Sequence, residues 1–508
     1  RQLAPRRTDV AGFVGIAARG PLHEPVRLES WTQFVSVFGG HTPQGYLAYA
    51  VEGFFANGGR RCYVVRVADP ARAEDARLCV FEQHVLGQGS QLKQQTWSLF
   101  KLVASSPGTW AHSLVVSTAL LGGGRFTLSL SLPDGTYEKW ANLSLDRDDR
   151  RAAVKVLNER AAGSRLVRVA PVDGFERPGP DVLLLGRRPM VLAGGADGLS
   201  TLRPEHLGGQ DAPPDVRWGL ATLELIDEVA IVAIPDIMAA PRPLPPRRAP
   251  RSPRCDRLDA PEEPWAPDEP PELRPAWDRE TTLRLQQALV GHCERLKDRV
   301  AILDPHPEDV TPAQVLAWRE EFASSYAALY YPWPLVPDPL RGEGDLLALP
   351  PSGQVAGVYA RNDRLIGVHK APANERLEGV PDIVIALDDT AHGDLNDGGV
   401  NVIRPYPARG VRVAGARTLA APGDHSAPRY VNVRRLLLMI EEAIAEQIQW
   451  VNFEPNSETL WAEVDRVARG FLDGLWRDGM LDGATAEEAY SVRCDAATNP
   501  PEEREAGR

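Results

Sequence analysis

The sequence is short of paired cysteines, of long apolar runs and of positive charge, and each shortage removes a class of answer. Its five cysteines (Cys62, Cys79, Cys255, Cys293 and Cys494) lie far apart with no C-x-x-C pair. That leaves neither a zinc framework nor a disulfide scaffold and reads as a reduced, cytosolic chain. No apolar run approaches the roughly 18 residues that a membrane span requires. The longest, Val229–Ile234, stops at Pro235 and reads as a buried strand. Lys and Arg number 57 against 69 Asp and Glu, a net charge of -12, which is the wrong sign for non-specific nucleic-acid binding. Arg1 to Val10 are polar and basic with no apolar stretch behind them. No signal peptide is read there, and release is expected by another route, such as lysis.

The common catalytic signatures are missing too. There is no G-x-x-x-x-G-K-[ST] to cradle a triphosphate, no H-E-x-x-H and no G-x-S-x-G. His292-Cys293-Glu294 invites a nucleophile reading, but neighbours on a helix point about 100° apart and cannot make the nucleophile–base contact with each other. Cys293 therefore reads as part of an apolar stripe. Asp388-Asp389 to Gly398 is rich in carboxylates, yet its spacing fails the EF-hand pattern and it reads as a solvated acidic turn. Gly122-Gly123-Gly124 is followed by strand residues, so it reads as a hairpin turn rather than a nucleotide loop. No catalytic residue, cofactor or metal ligand is assigned.

What is present is a soluble globular composition, 43% hydrophobic and 25% charged over 508 residues, long enough for two to four domains. The N-terminal part, 1–77, has α/β texture. Val10–Ile16 reads as a buried strand, and Ser30 with Gln33 forms a capping-box pattern before a helix carrying Trp31, Phe34 and Phe38. A second helix with Tyr46, Leu47, Ala50, Val51, Phe54 and Phe55 follows and stops at Asn57-Gly58-Gly59, before a strand over Cys62–Val67. Residues 78–180 alternate in short runs such as Phe126–Leu132, broken by Pro133-Asp134-Gly135, and predict an inserted, mainly β domain.

The α/β rhythm returns over 181–375, interrupted by 239–275. That interruption is about one-third proline, Arg-rich and then acidic, and is expected to be an exposed extended insertion that builds no core. Beyond it, Leu285, Leu289, Cys293 and Leu296 mark an amphipathic helix. Thr311-Pro312 starts another, with Val315, Trp318 and Phe322 inward. The last part, 376–508, holds a long helix from about Val433 to Gln449 with Leu436, Leu437, Ile440, Ile444 and Ile448 on one side. A second helix carries Trp461, Val464, Val467, Phe471, Leu475 and Trp476, and a closing strand over Ala489–Cys494 presents Tyr490, Val492 and Cys494 on alternate positions.

Several blocks in collinear order resemble the contractile tail sheath family of phages, tailocins and phage-like injection systems. They begin with Thr8–Gly15, Arg19-Gly20-Pro21, Ala50–Gly59 and Ser106–Trp110. Ala233–Asp236, Asp298–Asp304, Ala328–Trp333, Pro351–Gly357, Gly367–Asn374, Gly415–Leu419, Tyr430–Leu436, Phe453–Asn456 and Val492–Asp495 continue the series. The resemblance implies an α/β multidomain fold: a subtilisin-like core without a catalytic triad, an inserted outer β domain and an α+β C-terminal domain. It implies a non-enzymatic subunit that polymerises with itself as stacked hexameric rings around an inner tube protein. Contraction would drive the tube through a target envelope, with energy stored at assembly. Baseplate and tail-terminator or cap proteins are implied as further partners, with no nucleic acid and no direct membrane insertion. The implied location is the cytoplasm of a producing bacterium, in a particle released by lysis.

The resemblance also implies site residues. A C-terminal helix of the family faces the tube, and its match places Arg434, Arg435, Glu441, Glu442 and Glu446 as candidate tube contacts. Tyr490, Val492 and Cys494 become a candidate intersubunit strand, a form of β-augmentation. Family members carry an extended arm before the Thr8 block and another strand after the Asn499 region. Here the expectation is a sheath body with those linking arms removed or disordered. The competing reading from a different class is an α/β hydrolase-like enzyme with an unrecognised Ser or Cys nucleophile, which requires an Asp/His/nucleophile set in one cleft. A third is an adhesin-like module built on 78–180.

Overall fold

The computed structural model describes residues 4–86, 93–122, 125–144, 146, 148–160, 162–170, 182–184, 189–209, 216–238, 272–342, 344–421, 423–424 and 428–502. A nine-stranded mixed sheet organises the chain. Its centre is parallel and runs, in spatial order, Val400–Tyr406, Ala327–Tyr331, Val300–Leu303, Ile231–Ala233, Ala11–Gly15 and Cys62–Arg66. Antiparallel strands close both edges: Gly410–Val413 with Glu375–Arg376 on one side, Val26–Leu28 on the other. Ala11–Gly15, Val300–Leu303 and Ala327–Tyr331 are buried at every residue. That is why these strands are uniformly apolar rather than alternating: both faces of a parallel sheet are covered.

The covering helices start where their caps predict. Ser30 Oγ accepts from the N–H of Gln33 at 3.2 Å, and the Gln33 side chain accepts from Glu29 N at 2.7 Å, opening Trp31–Phe38. Thr311 and Gln314 form the same reciprocal pair at the start of Pro312–Glu320, with Pro312 in the first turn. Helices Leu47–Ala56 and Ser352–Leu365 approach unusually closely. A Cβ on Gly353 would lie 2.4 Å from Ala50 Cα, and one on Gly357 2.5 Å from the Phe54 carbonyl oxygen.

Two further cores sit beside the main one. The second gathers residues from Ala76 to Leu192 around two four-stranded sheets, with Phe100 and Phe126 stacked at 6.0 Å. Arg125–Ser131 alternates half-buried and buried positions, the period-two pattern its sequence announced. Val115–Gly122 pairs antiparallel with it. This unit is stitched to the main sheet by buried polar contacts: Arg66 donates to the carbonyls of Gly20 and Pro107, and Thr109 donates through N and Oγ1 to Asp197. The third core joins helices Val431–Gln447 and Glu458–Arg477 through Met439, Ala443, Val467, Phe471 and Leu475. Leu436, Ile440 and Ile444 pack against it as half-buried residues, while Leu437 stays 37% exposed and departs from the expected stripe.

Two expectations change. The segment over Ala489–Cys494 is not a strand: Ala486–Ala489 is a short helix, and the residues after it have no ladder partner among the described residues. The exposure of 490–494 does alternate, but a strand also needs an edge to pair with. The acidic stretch is a helix, Asp389–Asp397, because the Asp388 carboxylate caps it by accepting from Ala391 N at 2.8 Å. Most of the proline-rich insertion lies outside the described residues. Its return is anchored, Glu272 accepting from the backbone N–H groups of Gly198 and Ser200.

The close helix pair gives a test in which propensity and packing disagree. Ala is favoured over Gly in a helix by about 1 kcal/mol, but a methyl at position 353 meets backbone on the facing helix. Gly353→Ala is expected to destabilise the protein by about 1–3 kcal/mol in denaturant unfolding. A stabilised variant would show that the two helices separate freely.

Candidate functional site

In a parallel α/β sheet chemistry is normally found at the carboxyl ends of the strands, and two buried acids stand there. Asp236 follows Ile231–Ala233 and accepts from the backbone N–H groups of Ile16, at 2.6 Å, and of Tyr46. Asp304 follows Val300–Leu303 and accepts from Ser352 N at 2.9 Å and Ser352 Oγ at 2.7 Å. Burial pushes the Asp304 carboxyl up to about 7 against the pull of the Ser352 bonds. A serine beside an aspartate resembles part of a hydrolytic set, yet neither residue has a histidine partner among the described residues, and both are buried. Ser352 donates straight to the carboxylate with no imidazole between them, so the serine–histidine–acid relay of a hydrolase is not assembled among the described residues. The two acids close loops and a helix start.

The Cys293 reading follows the same course. The thiol is fully buried on helix Arg279–Leu296, and burial holds it far above its ordinary range. Burial, helped by Arg299 and Arg295, lowers His292 to about 3, so its ring is neutral at 3.7 Å from Glu224. A cavity of 610 Å³ opens between Leu47–Ala56 and the 336–349 loop. Tyr49 donates to Asp338 there and His41 pairs with Glu52, but no Ser, Cys or Lys is among its lining residues.

The helix Val431–Gln447 holds the charged residues of interest, and the structure divides them. Arg435 is buried. It donates to both oxygens of Asp363 at 3.0 and 2.6 Å and to the Thr8 carbonyl at 2.7 Å, and lies 4.7 Å from the centre of the Tyr359 ring. Thr8 Oγ1 completes the set by donating to Asp363 at 2.6 Å. Arg435 is therefore corrected from a surface contact to a core pin: the helix face it shares with Val431, Leu438 and Met439 points inward. Arg434 is also engaged, donating to Ser325 Oγ at 3.0 and 2.7 Å with its guanidinium 4.3 Å from the centre of the Tyr326 ring.

The N-terminal residues run antiparallel along this helix. Gln447 exchanges two hydrogen bonds with the backbone of Ala4, and Arg6 reaches Glu442 at 3.2 Å and Glu446 at 3.4 Å. Burial raises Glu442 to about 7, outweighing the attraction of Arg6, with Asp298 and Asp227 adding repulsion. What remains outward is a stripe of Val433 (41% exposed), Leu437, Glu441 and Ala445. Glu441 has no side-chain partner among the described residues.

Of the second candidate set, Tyr490 donates to the Arg469 carbonyl at 3.4 Å, and the Val492 carbonyl accepts from Arg469. The segment thus lies extended beside Glu458–Arg477, and Cys494 is a free thiol. Sequence reasoning missed Asp363, Thr8 and Arg6. The available signal was the 3.6-residue phase, which puts Arg435 on the apolar face of its helix.

Residues 274–419 match the family model described as the phage tail sheath protein central domain, and 424–502 match the phage tail sheath C-terminal domain. The tail sheath protein of Salmonella phage ViI is 26% identical over 227 residues, 42% of this chain and 34% of that protein. That of Burkholderia phage BcepMu is 29% identical over 221 residues, 41% and 44% of the two chains. The match thus spans less than half the length of these phage relatives. Among solved structures, the contracted sheath of the extracellular contractile injection system PVC covers 100% of this chain and 87% of its own, at 19% identity and TM-score 0.54. The contracted helical sheath of the anti-feeding prophage aligns at TM-score 0.53 and 21% identity, covering 100% and 89%. A sheath tail protein from Desulfitobacterium hafniense aligns over 96% and 89% of the two chains at TM-score 0.57 and 10% identity.

Two measurements test the helix assignments. Removing one partner of a buried pair strands the other charge, so Arg435→Ala or Asp363→Ala is expected to cost about 3–5 kcal/mol in unfolding. Glu441→Ala should lie within about 0.5 kcal/mol of wild type. Glu442 is raised above its ordinary value of 4.5 to about 7, so its neutral form favours the fold. Its contribution is present below the unfolded value and lost as pH rises through about 7. Asp304 titrates in the same sense, so the informative comparison is with Glu442→Gln, which is expected to lose less stability than wild type between pH 5 and pH 8. Equal losses would reject the assignment.

Proposed function

We propose, from the premise that the chain belongs to the phage tail sheath protein family, that it is a structural sheath subunit of a contractile tail or injection system. It acts by assembly rather than catalysis. The observation that carries this reading is the unbroken order of the two family domains over 274–419 and 424–502, on a fold that aligns over the whole chain with a contracted sheath.

In this reading subunits stack as hexameric rings around an inner tube protein, and contraction moves that tube through a target envelope. Baseplate partners are supported by the likeness to chains of an anti-feeding prophage baseplate. Terminator or cap proteins would close the stack. The particle would assemble in the producing bacterium. The nine-stranded sheet serves as a subtilisin-like core used as scaffold, the unit gathering Ala76 to Leu192 as an outer domain and the helices of the third core as the C-terminal sheath domain. The boundaries expected at 180 and 375 therefore move: Val182–Leu184 pairs within the β unit and Val400–Tyr406 within the main sheet. The buried, backbone-bound Asp236 and Asp304 support the scaffold role, because their acceptor capacity is spent on loops. Tyr490, Val492 and Cys494, which form no strand within the chain, are proposed to become one only by pairing with a neighbouring subunit.

The tube-facing role narrows to the outward stripe Val433, Leu437, Glu441 and Ala445, since Arg435 is buried and Glu442 and Glu446 are held by Arg6. Rim charges change association more than folding. Co-expression with the cognate tube, imaged by electron microscopy, should give sheathed tubes with wild type and far fewer with Glu441→Lys. Absence of any ring or helical assembly by wild type would overturn the sheath reading, whereas full decoration by Glu441→Lys would overturn the stripe alone.

A further inference from the structure

We propose that the pocket around Arg319 is an oxyanion site that receives one side-chain carboxylate from a second copy of this chain. Arg319 stands at the end of helix Pro312–Glu320 and is only 6% exposed. Its guanidinium donates to two backbone carbonyls, Phe322 at 3.0 Å and Ala420 at 2.8 Å, while Nε has no acceptor. No carboxylate pairs with it among the described residues. Buried guanidinium groups are ordinarily matched by an anion, because an uncompensated charge away from water is costly. Burial lowers the proton affinity of this one, with Glu320 the sole opposing influence.

The surroundings are built around that group. A cavity of 130 Å³ brings Arg319, Arg417 and Arg429 together with Thr418 and the glycines 398, 399 and 423. Gly399 has φ +88°, and a Cβ there would come within 3.1 Å of Arg319 Nε, so glycine keeps this side of the guanidinium uncrowded. Arg417 spends Nε on Asn396 at 3.0 Å and reaches Asp397 only at 3.5 Å, the aspartate being 85% exposed. Arg429 is exposed and has no side-chain partner among the described residues. Asp397 and Asp424 also line the cavity, both at its exposed rim, and Asp424 already has a partner. Three guanidinium groups against two solvent-screened carboxylates leave a net positive pocket.

A volume of 130 Å³ suits a carboxylate head and excludes a nucleotide, and guanidinium forks match carboxylate geometry. The chain itself supplies such groups, with 69 acids against 57 bases, and an assembling subunit presents them to its neighbours at high local concentration. This step rests on the sheath reading. Filling the pocket would complete a charge that the isolated subunit leaves unmatched.

The test has two arms at fixed pH and ionic strength. Inorganic phosphate, compared with chloride, is titrated against unassembled wild type, Arg429→Ala and Arg319→Met, reading the thermal midpoint. Assembly of wild type and Arg429→Glu is followed by sedimentation and electron microscopy. Phosphate should raise the midpoint of wild type and do so less in both variants. Arg429→Glu should need about tenfold more protein to assemble, the loss of one charge-assisted hydrogen bond. No phosphate effect on wild type overturns the oxyanion site. A phosphate effect with unchanged Arg429→Glu assembly overturns the second copy as the source. Because Arg429 is exposed, a fold defect in Arg319→Met leaves the result readable from Arg429→Ala. If wild type never assembles, the sheath reading fails, while the phosphate arm still decides the pocket.

Discussion

A charge placed in a protein core must be answered there, and the Arg435–Asp363 pair is where this chain accepts that constraint. The pair is answered three times: by the Thr8 hydroxyl and carbonyl, by the Tyr359 ring beneath the guanidinium and by the bidentate fork itself. Thr8 precedes the first strand, Tyr359 and Asp363 belong to the helix Ser352–Leu365 that packs on the main sheet, and Arg435 opens the helix that carries the third core. One interaction therefore fixes how the chain enters the sheet and how the C-terminal unit hangs from it. An apolar trio could contribute as much stability, but not the same register, since only one rotation of the 431–447 helix points a guanidinium at Asp363. That rotation dictates the rest. Glu442 and Gln447 fall under the N-terminal segment, and Val433, Leu437 and Glu441 fall outside.

The same economy explains how an α/β sheet with acids at its strand ends lacks a catalytic arrangement there. Asp236 and Asp304 occupy the positions from which such folds usually work on a substrate. Each instead accepts two hydrogen bonds from the chain's own backbone or serine hydroxyl. A carboxylate whose lone pairs are used this way cannot orient an imidazole or a water. The close approaches around Asp236, where a Cβ on Gly15 or Gly45 would run into its oxygens, show the loops built onto it. On the proposed sheath reading, rigid strand ends suit a scaffold better than an open cleft would.

The parts of the fold legible in sequence were those decided locally. Ser30 with Gln33 and Thr311 with Pro312 announced helix starts because capping is settled within four residues. The apolar runs at Val10–Ile16 and Val229–Ile234 announced central strands because burial on both faces leaves a continuous apolar record. The misreadings came from partners distant in the chain. Arg435 was placed as a surface tube contact because Asp363 lies 72 positions away. Asp388–Gly398 looked like a turn because acidic residues were weighed as ligands rather than as a cap followed by a helix. Tyr490, Val492 and Cys494 carried a true period-two signal, but alternation reports extended backbone, and a ladder needs a second strand that the single chain does not present to it.

Those unanswered groups are the informative ones. Soluble monomers blunt extended edges and neutralise buried charge, since an unpaired strand invites association and an unmatched guanidinium costs stability. Among the described residues a 490–494 segment with alternating exposure has no ladder, and Arg319 sits buried with an idle Nε and no acid partner. An apolar Val433–Leu437 stripe also faces outward beside an unpaired Glu441. In a monomer these are three separate defects of different chemistry: backbone, charge and apolar surface. On the proposed sheath reading they have one remedy, since contact with a neighbouring copy would complete each of them. A chain that keeps its strand-end acids occupied and these surface groups open places its incompleteness where, on the proposed sheath reading, a neighbour would meet it.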